Sequence, residues 1–234
     1  MLQPIIIALD FSNRSEVEEF LRPISNEKLF VKVGMELYYQ EGPDFVKYLK
    51  EQGHAVFLDL KLHDIPNTVH RAMKGLAKLD VDLVNVHAAG GIEMMKGAVA
   101  GLEEGASNKR PLCIAVTQLT STSEEMMNDE LHIPGTLKAN VEHYAENARQ
   151  ASLDGVVCSP LEVPFIKECC GSDFLTVTPG IRLIADHVDD QKRVTTPTQA
   201  KEFGSDHIVV GRTITRSEQP IEIYRRILND WRNV

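Results

Sequence analysis

Two lysines and three aspartates stand at or just beyond the ends of apolar runs, and their types suit them to proton transfer and charge stabilisation. Asp10 closes the run Ile5-Ile6-Ile7-Ala8-Leu9, and Lys32 lies within Phe30-Val31-Lys32-Val33-Gly34. Asp59, Lys61 and Asp64 crowd into Asp59-Leu60-Lys61-Leu62-His63-Asp64. Only Leu60 separates Asp59 from Lys61, so an extended backbone turns both side chains to one face. A carboxylate beside an ammonium in a poorly solvated place keeps the lysine charged and aimed. Such a lysine can give up a proton or stabilise developing negative charge. The same residues also suit a structural ion-pair network, because buried charges must be paired. Their convergence at the functional end of a fold favours chemistry over a mere clasp.

The elements that must position these groups are short apolar runs alternating with amphipathic stretches. The strands are expected at Ile5–Phe11, Phe30–Met35, Ala55–Leu62, Leu83–Ala88, Leu112–Gln118, Gly155–Ser159, Phe174–Thr178 and His207–Val210. They are rich in Val, Ile, Leu and Phe without strict polar alternation, as strands covered on both faces are. Helical spacing predicts helices over Ser15–Ile24, Asp44–Gln52 (stopped by Gly53), Leu137–Ala151 and Ile221–Trp231. Thr196-Pro197 reads as an N-cap followed by proline at the first helical position, and Pro220 opens the last helix. About eight strand–helix units in 234 residues predict a parallel sheet closed into a single-domain (β/α)8 barrel spanning 1–234. The turn Asp10-Phe11-Ser12-Asn13-Arg14 lacks G-x-G-x-x-G, which argues against a dinucleotide fold. In such a barrel the chemistry sits where the strands end, which is where the charged residues fall.

The stretch Asp59-Leu60-Lys61-Leu62-His63-Asp64-Ile65-Pro66-Asn67-Thr68 resembles the D-x-K-x-x-D-I-x-x-T signature of the orotidine 5′-phosphate decarboxylase family. The resemblance runs the length of the chain. It takes in Ala8-Leu9-Asp10, Val31-Lys32-Val33-Gly34, Val86-His87-Ala88-Ala89-Gly90-Gly91, Thr178-Pro179-Gly180-Ile181-Arg182 and Val210-Gly211-Arg212. It implies removal of CO2 from orotidine 5′-phosphate to give UMP, without metal or cofactor. Lys61 is then the proton donor to C6 of the pyrimidine, and Asp59 holds Lys61 near the substrate carboxylate. Lys32 bridges the carboxylates and reaches the ribose, while Asp10 and Asp64 bind ribose hydroxyls. The resemblance further implies a homodimer in which Asp64 and Thr68 cross into the partner's site. It counts Ile65, Pro179 and Gly211 among the substrate-binding residues and sets Thr120 near the pyrimidine.

Phosphate binding has support beyond the resemblance, since barrels often hold phosphate with the loops after their last two strands. Those loops carry Pro179-Gly180-Ile181-Arg182 and Gly211-Arg212. Glycine admits an anion close to backbone N–H groups, and arginine offers a bidentate fork. The segment from Ile181 to Thr196 is long for such a loop and reads as a lid, although its charges also suit a solvated loop. By resemblance Gln191 closes over the phosphate, Arg182 supports the site and Arg212 grips the phosphate.

A formal net charge of −9 without basic runs leaves no footprint for nucleic acid or an anionic membrane. No apolar run reaches the ~20 residues that span a bilayer, and the run ending at Asp10 is no signal peptide. Cys113, Cys158, Cys169 and Cys170 lack metal-site spacing and read as reduced thiols of a cytoplasmic protein. His87 is read equally as a site residue or a rim histidine, and His63 as structural, pointing away from Asp59 and Lys61. Met126–Pro134 reads as a surface excursion. Two alternatives remain. A Mg2+-dependent 3-keto-gulonate 6-phosphate decarboxylase shares D-x-K-x-x-D but needs a glutamate ligand where this chain has Lys32. An inactive nucleotide-binding barrel would have no need of a proton donor.

Overall fold

The computed structural model describes residues 2–24, 26–183 and 195–234. Eight parallel strands close a barrel in chain order: β1 (Ile5–Ala8), β2 (Phe30–Gly34), β3 (Ala55–Leu62), β4 (Leu83–His87), β5 (Leu112–Val116), β6 (Gly155–Val157), β7 (Leu175–Thr178) and β8 (His207–Val210). β1 pairs with both β2 and β8, which completes the ring and leaves no sheet edge. Around it run α1 (Arg14–Leu21), α2 (Met35–Glu51), α3 (Pro66–Ala77), α4 (Gly91–Gly105), α5 (Glu124–Asp129), α6 (Leu137–Gln150), α7 (Val163–Cys170), α8 (Pro197–Glu202), α9 (Arg212–Thr215) and α10 (Pro220–Arg232). This is the expected (β/α)8 barrel.

Several strands are shorter than the apolar runs that encode them. β1 stops at Ala8, because beyond Leu9 the chain leaves the ladder; the Leu9 N–H still reaches the carbonyl of Lys32 at 3.0 Å. α1 ends at Leu21 and passes into a 3-10 turn, Arg22–Ile24, where Pro23 has no N–H to continue the helix. α2 begins well before the expected Asp44. It is two helices joined at Gly42, whose φ of 71° breaks the first just ahead of Pro43. Thr196 caps α8 as expected, accepting from the Gln199 N–H while the Gln199 side chain returns to the Thr196 N–H. The Met126–Pro134 excursion includes much of the short helix α5, capped by Ser123.

Strand alternation sorts the core into two layers. Ile6, Ala8, Phe30, Phe57, Leu83, Ile114, Val177 and Val209 fill the barrel interior. Their neighbours Ile5, Ile7, Val31, Val33, Val56, Leu58, Val84 and Val86 pack outward under the helices. The interior rows end in polar groups: one inward step beyond Ala8, Phe30, Phe57 and Leu83 come Asp10, Lys32, Asp59 and Asn85. The apolar plug therefore lies beneath a charged mouth.

The opposite end carries a repeated device. Asp82, Asp154 and Asp206 each stand just before an even-numbered strand. Each accepts the N–H of a residue near the start of the preceding strand: Val56 at 2.8 Å, Cys113 at 2.7 Å and Thr176 at 2.8 Å. Each also accepts a cation, from Lys50 at 2.6 Å, Arg110 at 2.8 Å and Lys167 at 2.7 Å. Three half-buried carboxylates thus staple β3 to β4, β5 to β6 and β7 to β8 away from the mouth.

Candidate active site

Across the mouth, Asp59, Leu60 and Lys61 of β3 face a single residue of β4. Leu58 pairs with Val84 and Leu62 with Val86, so three residues on one strand oppose Asn85 on the other. This bulge turns Lys61 into the left-handed region, at φ 51°. A non-glycine backbone held there is strained by about 1–3 kcal/mol and is found where surrounding structure enforces it. The expectation that Asp59 and Lys61 share a face holds, with Lys61 Nζ donating to Asp59 Oδ1 at 2.6 Å, but a bulge rather than plain alternation brings it about.

The charges form an alternating chain. Lys32 Nζ lies 3.1 Å from Asp10 Oδ1 and 3.4 Å from Asp59 Oδ2, and Asp59 Oδ1 continues to Lys61. Lys32 and Asp59 side chains are only 12% and 11% exposed, so water screens this chain poorly and the fields within it are strong. Burial raises the Asp59 carboxyl, but Lys32, Lys61 and Asn85 outweigh it and hold Asp59 below the usual carboxylate range. Burial lowers Lys32, but Asp59 and Asp10 outweigh it and hold its ammonium above the usual lysine value. Gly34 closes β2 with room for this arrangement, since a Cβ there would stand 3.3 Å from Lys32 Nζ.

Beside the charges opens a cavity of about 470 Å3, lined by Asp10, Lys32, Pro179, Arg182, Gly211 and Arg212 among others. Six of the expected site residues, drawn from four strand ends, therefore meet around one space. Thr215 and Arg216, at the end of α9 and just past it, also line it. No strand-end rule points to them, because a helical turn carries them back over the mouth. The loop after β7 is pinched at its base: the Arg182 N–H reaches Thr195 O at 3.0 Å and the Thr195 N–H reaches Gly180 O at 3.1 Å. Gln191 lies outside the described residues, as does most of the expected lid, 184–194.

Other expected residues stand apart from this cavity. Asp64, Ile65 and Thr68 are exposed between β3 and the first turn of α3, and Ile65 is 66% exposed. Asp64 Oδ1 accepts the Ile65 N–H at 2.6 Å and makes no salt bridge among the described residues. Thr120 is half-buried after β5, also off the cavity lining. His63 is exposed, with its ring 5.8 Å from that of His87. Burial, His63 and Lys61 together push the half-buried His87 imidazole below its usual value. Asn85 is the site residue that strand-end reasoning passes over. A single amide within Leu83-Val84-Asn85-Val86-His87 was its signal, and it is 1% exposed.

The family model of the orotidine 5′-phosphate decarboxylase / HUMPS family matches residues 3–227. The chain belongs to this family. It is 61% identical over 236 residues to an orotidine 5′-phosphate decarboxylase of Bacillus cereus, covering 100% of this chain and 99% of that one. A relative of the same name from Bacillus anthracis is 60% identical, over the same shares of both chains. Among solved structures, an orotidine 5′-phosphate decarboxylase of Lactobacillus acidophilus superposes with a TM-score of 0.88 at 42% identity, over 98% of this chain and 99% of that one. An uncharacterized conserved protein of Geobacillus kaustophilus superposes at 0.89 with 56% identity, over 97% of this chain and 100% of that one. The matched span takes in both the charged chain from β1 to β3 and the arginine loops after β7 and β8.

Proposed function

We propose that this chain decarboxylates orotidine 5′-phosphate to UMP and CO2, without metal or cofactor, as one domain spanning 1–234. The observation that carries the reading is Lys32, set between Asp10 and Asp59 in the strand where a Mg2+-dependent decarboxylase needs a glutamate ligand. An ammonium cannot ligate a cation and supplies the positive charge itself.

The nucleotide phosphate sits toward Arg182, Arg212, Pro179 and Gly211, closed over by Gln191, and the ribose lies against Asp10 and Lys32. The pyrimidine then points its C6 carboxylate at Asp59 and Lys61, with Thr120 near the ring. The bond from C6 to the carboxylate breaks, its electron pair stays on C6, and CO2 leaves. Lys61 stabilises that pair and delivers a proton to C6, and solvent restores the proton to Lys61. Asp59 holds Lys61 charged and aimed throughout.

Asp64, Ile65 and Thr68 complete the site of a second copy of the chain in a homodimer. Their exposure on this chain, away from its own cavity, supports that reading. The enzyme works in the cytoplasm on a small nucleotide, with no nucleic acid or membrane partner. Its free cysteines, Cys113, Cys158, Cys169 and Cys170, suit a reducing compartment. No helix among the described residues is long and apolar enough to cross a membrane.

The test is CO2 release from orotidine 5′-phosphate by EDTA-treated protein, with Lys61→Ala alongside. Metal-free turnover that the variant abolishes is the expected outcome. Turnover of a keto-sugar phosphate instead, and only after Mg2+ is restored, would overturn the proposal.

A further inference from the structure

We infer that Asn85 is a positioning residue for the decarboxylation, clasping the β3 bulge so that Asp59 and Lys61 are presented to the substrate as one rigid pair. The inference rests on the function proposed above and adds a residue outside the cavity lining.

The bulge creates a problem that Asn85 solves. With three residues opposing one, the β3 backbone loses ladder partners near the mouth end of the strand, and an orphaned, partly buried N–H there is destabilising. The Lys61 N–H donates instead to Asn85 Oδ1 at 2.8 Å. The other end of the same amide, Nδ2, donates to Asp59 Oδ1 at 2.6 Å. The orientation of the amide is unambiguous: a backbone N–H can only donate and an ionised carboxylate can only accept. One buried planar group therefore ties the backbone of the lysine to the side chain of the aspartate. It braces Lys61 at φ 51° and directs Asp59 Oδ1 toward Lys61 Nζ.

Asparagine suits this place better than its near-isosteres. Leucine fills the volume but offers neither group. Aspartate keeps the acceptor for Lys61 but sets a second carboxyl against Asp59 unless it carries a proton. Among the described residues, the charged and titratable groups around the pair are Asp10 beyond β1, Lys32 on β2, Lys61 on β3, and His63 and His87 at the β3 and β4 ends.

Two variants test the role against wild type. Asn85→Leu is expected to lower kcat about 10- to 100-fold, the range of one hydrogen bond to a charged group, while KM and UMP affinity stay within about threefold. Asn85→Asp is expected to be most active relative to wild type at the acid end, where the new carboxyl carries a proton that replaces the amide N–H. Its relative activity then falls as pH rises and the paired carboxyls both ionise. An Asn85→Leu enzyme with wild-type kcat overturns the inference, as does an Asn85→Asp enzyme whose ratio to wild type is constant with pH. Wild-type protein that fails to turn over orotidine 5′-phosphate would sink the proposed function instead. The clasp is then judged by carbon-13 NMR titration of the Asp59 carboxyl. An upward displacement in Asn85→Leu upholds it, and an unchanged midpoint overturns it.

Discussion

Lys61 Nζ sits 2.6 Å from Asp59 Oδ1 across a strand bulge, with a left-handed backbone at the lysine itself. The lysine is thereby presented at the barrel mouth by strained backbone and held by a carboxylate that Lys32 shares. On the proposed mechanism, truncation to Lys61→Ala removes both the proton and the charge that stabilises the C6 electron pair. Turnover should fall by at least about 10^3-fold, given that positioned proton transfer alone contributes 10^2–10^4. UMP binding, measured by calorimetry, should persist. Loss of both together would mean that Lys61 binds rather than protonates.

The same charged chain predicts how stability depends on pH. Asp59 titrates below its ordinary 3.8 in the folded protein, so its contribution is present above that value and is lost as pH falls through the folded pKa. Lys32 titrates above its ordinary 10.5, so its contribution is present below that value and is lost as pH rises through the folded pKa. Urea unfolding of wild type against Asp59→Asn should give a difference that is flat between these limits and shrinks on the acid side. A difference that grows with acid would contradict the sign.

Arg212 lines the cavity, and its proposed role is to fork the phosphate with its guanidinium. Arg212→Ala should lower kcat/KM for the nucleotide by roughly 10- to 100-fold, the scale of a charge-assisted hydrogen bond. Activity on orotidine, which lacks the phosphate, should barely change. An equal loss on both substrates would remove Arg212 from the phosphate site.

The proposed homodimer with shared sites has a direct test. Lys61→Ala and Asp64→Ala should each be inactive alone. Mixing them by mild dissociation and reassociation should restore activity, because a mixed dimer contains one site that is intact at both positions. Statistical exchange recovers roughly a quarter of wild-type sites. No recovery in subunits shown to have exchanged would place Asp64 in its own chain's site.

α3 carries Thr68 and follows directly on Asp64 and Ile65, and it lies unusually close to α4. A Cβ added at Gly97, Gly101 or Gly105 would stand 2.8, 2.2 or 2.3 Å from the carbonyl oxygens of Pro66, His70 and Lys74. Gly101→Ala must therefore push the helices apart. Overpacking of about 1–3 kcal/mol should lower Tm by roughly 2–10 °C, and the displaced Asp64–Thr68 segment should raise KM. An unchanged Tm would show that the helices separate freely.

The barrel, its strand order and most of the charged mouth were legible in the chain itself. Short continuous apolar runs and helical stripes of period three to four are local properties, and repeating them eight times leaves a closed parallel barrel as the compact solution. The rule that chemistry collects at strand ends then points to Asp10, Lys32, Asp59, Lys61 and Arg212. The tertiary structure alone decided the bulge at Lys61, because it depends on how Leu58 and Leu62 register against Val84 and Val86 on another strand. It decided Asn85, whose value lies in bonding two residues more than twenty positions earlier. It decided the aspartate staples at the far end and the approach of α4 glycines to α3 carbonyls. Periodicity records which way a side chain faces its own element, whereas these features arise only when two elements meet at a particular register and distance.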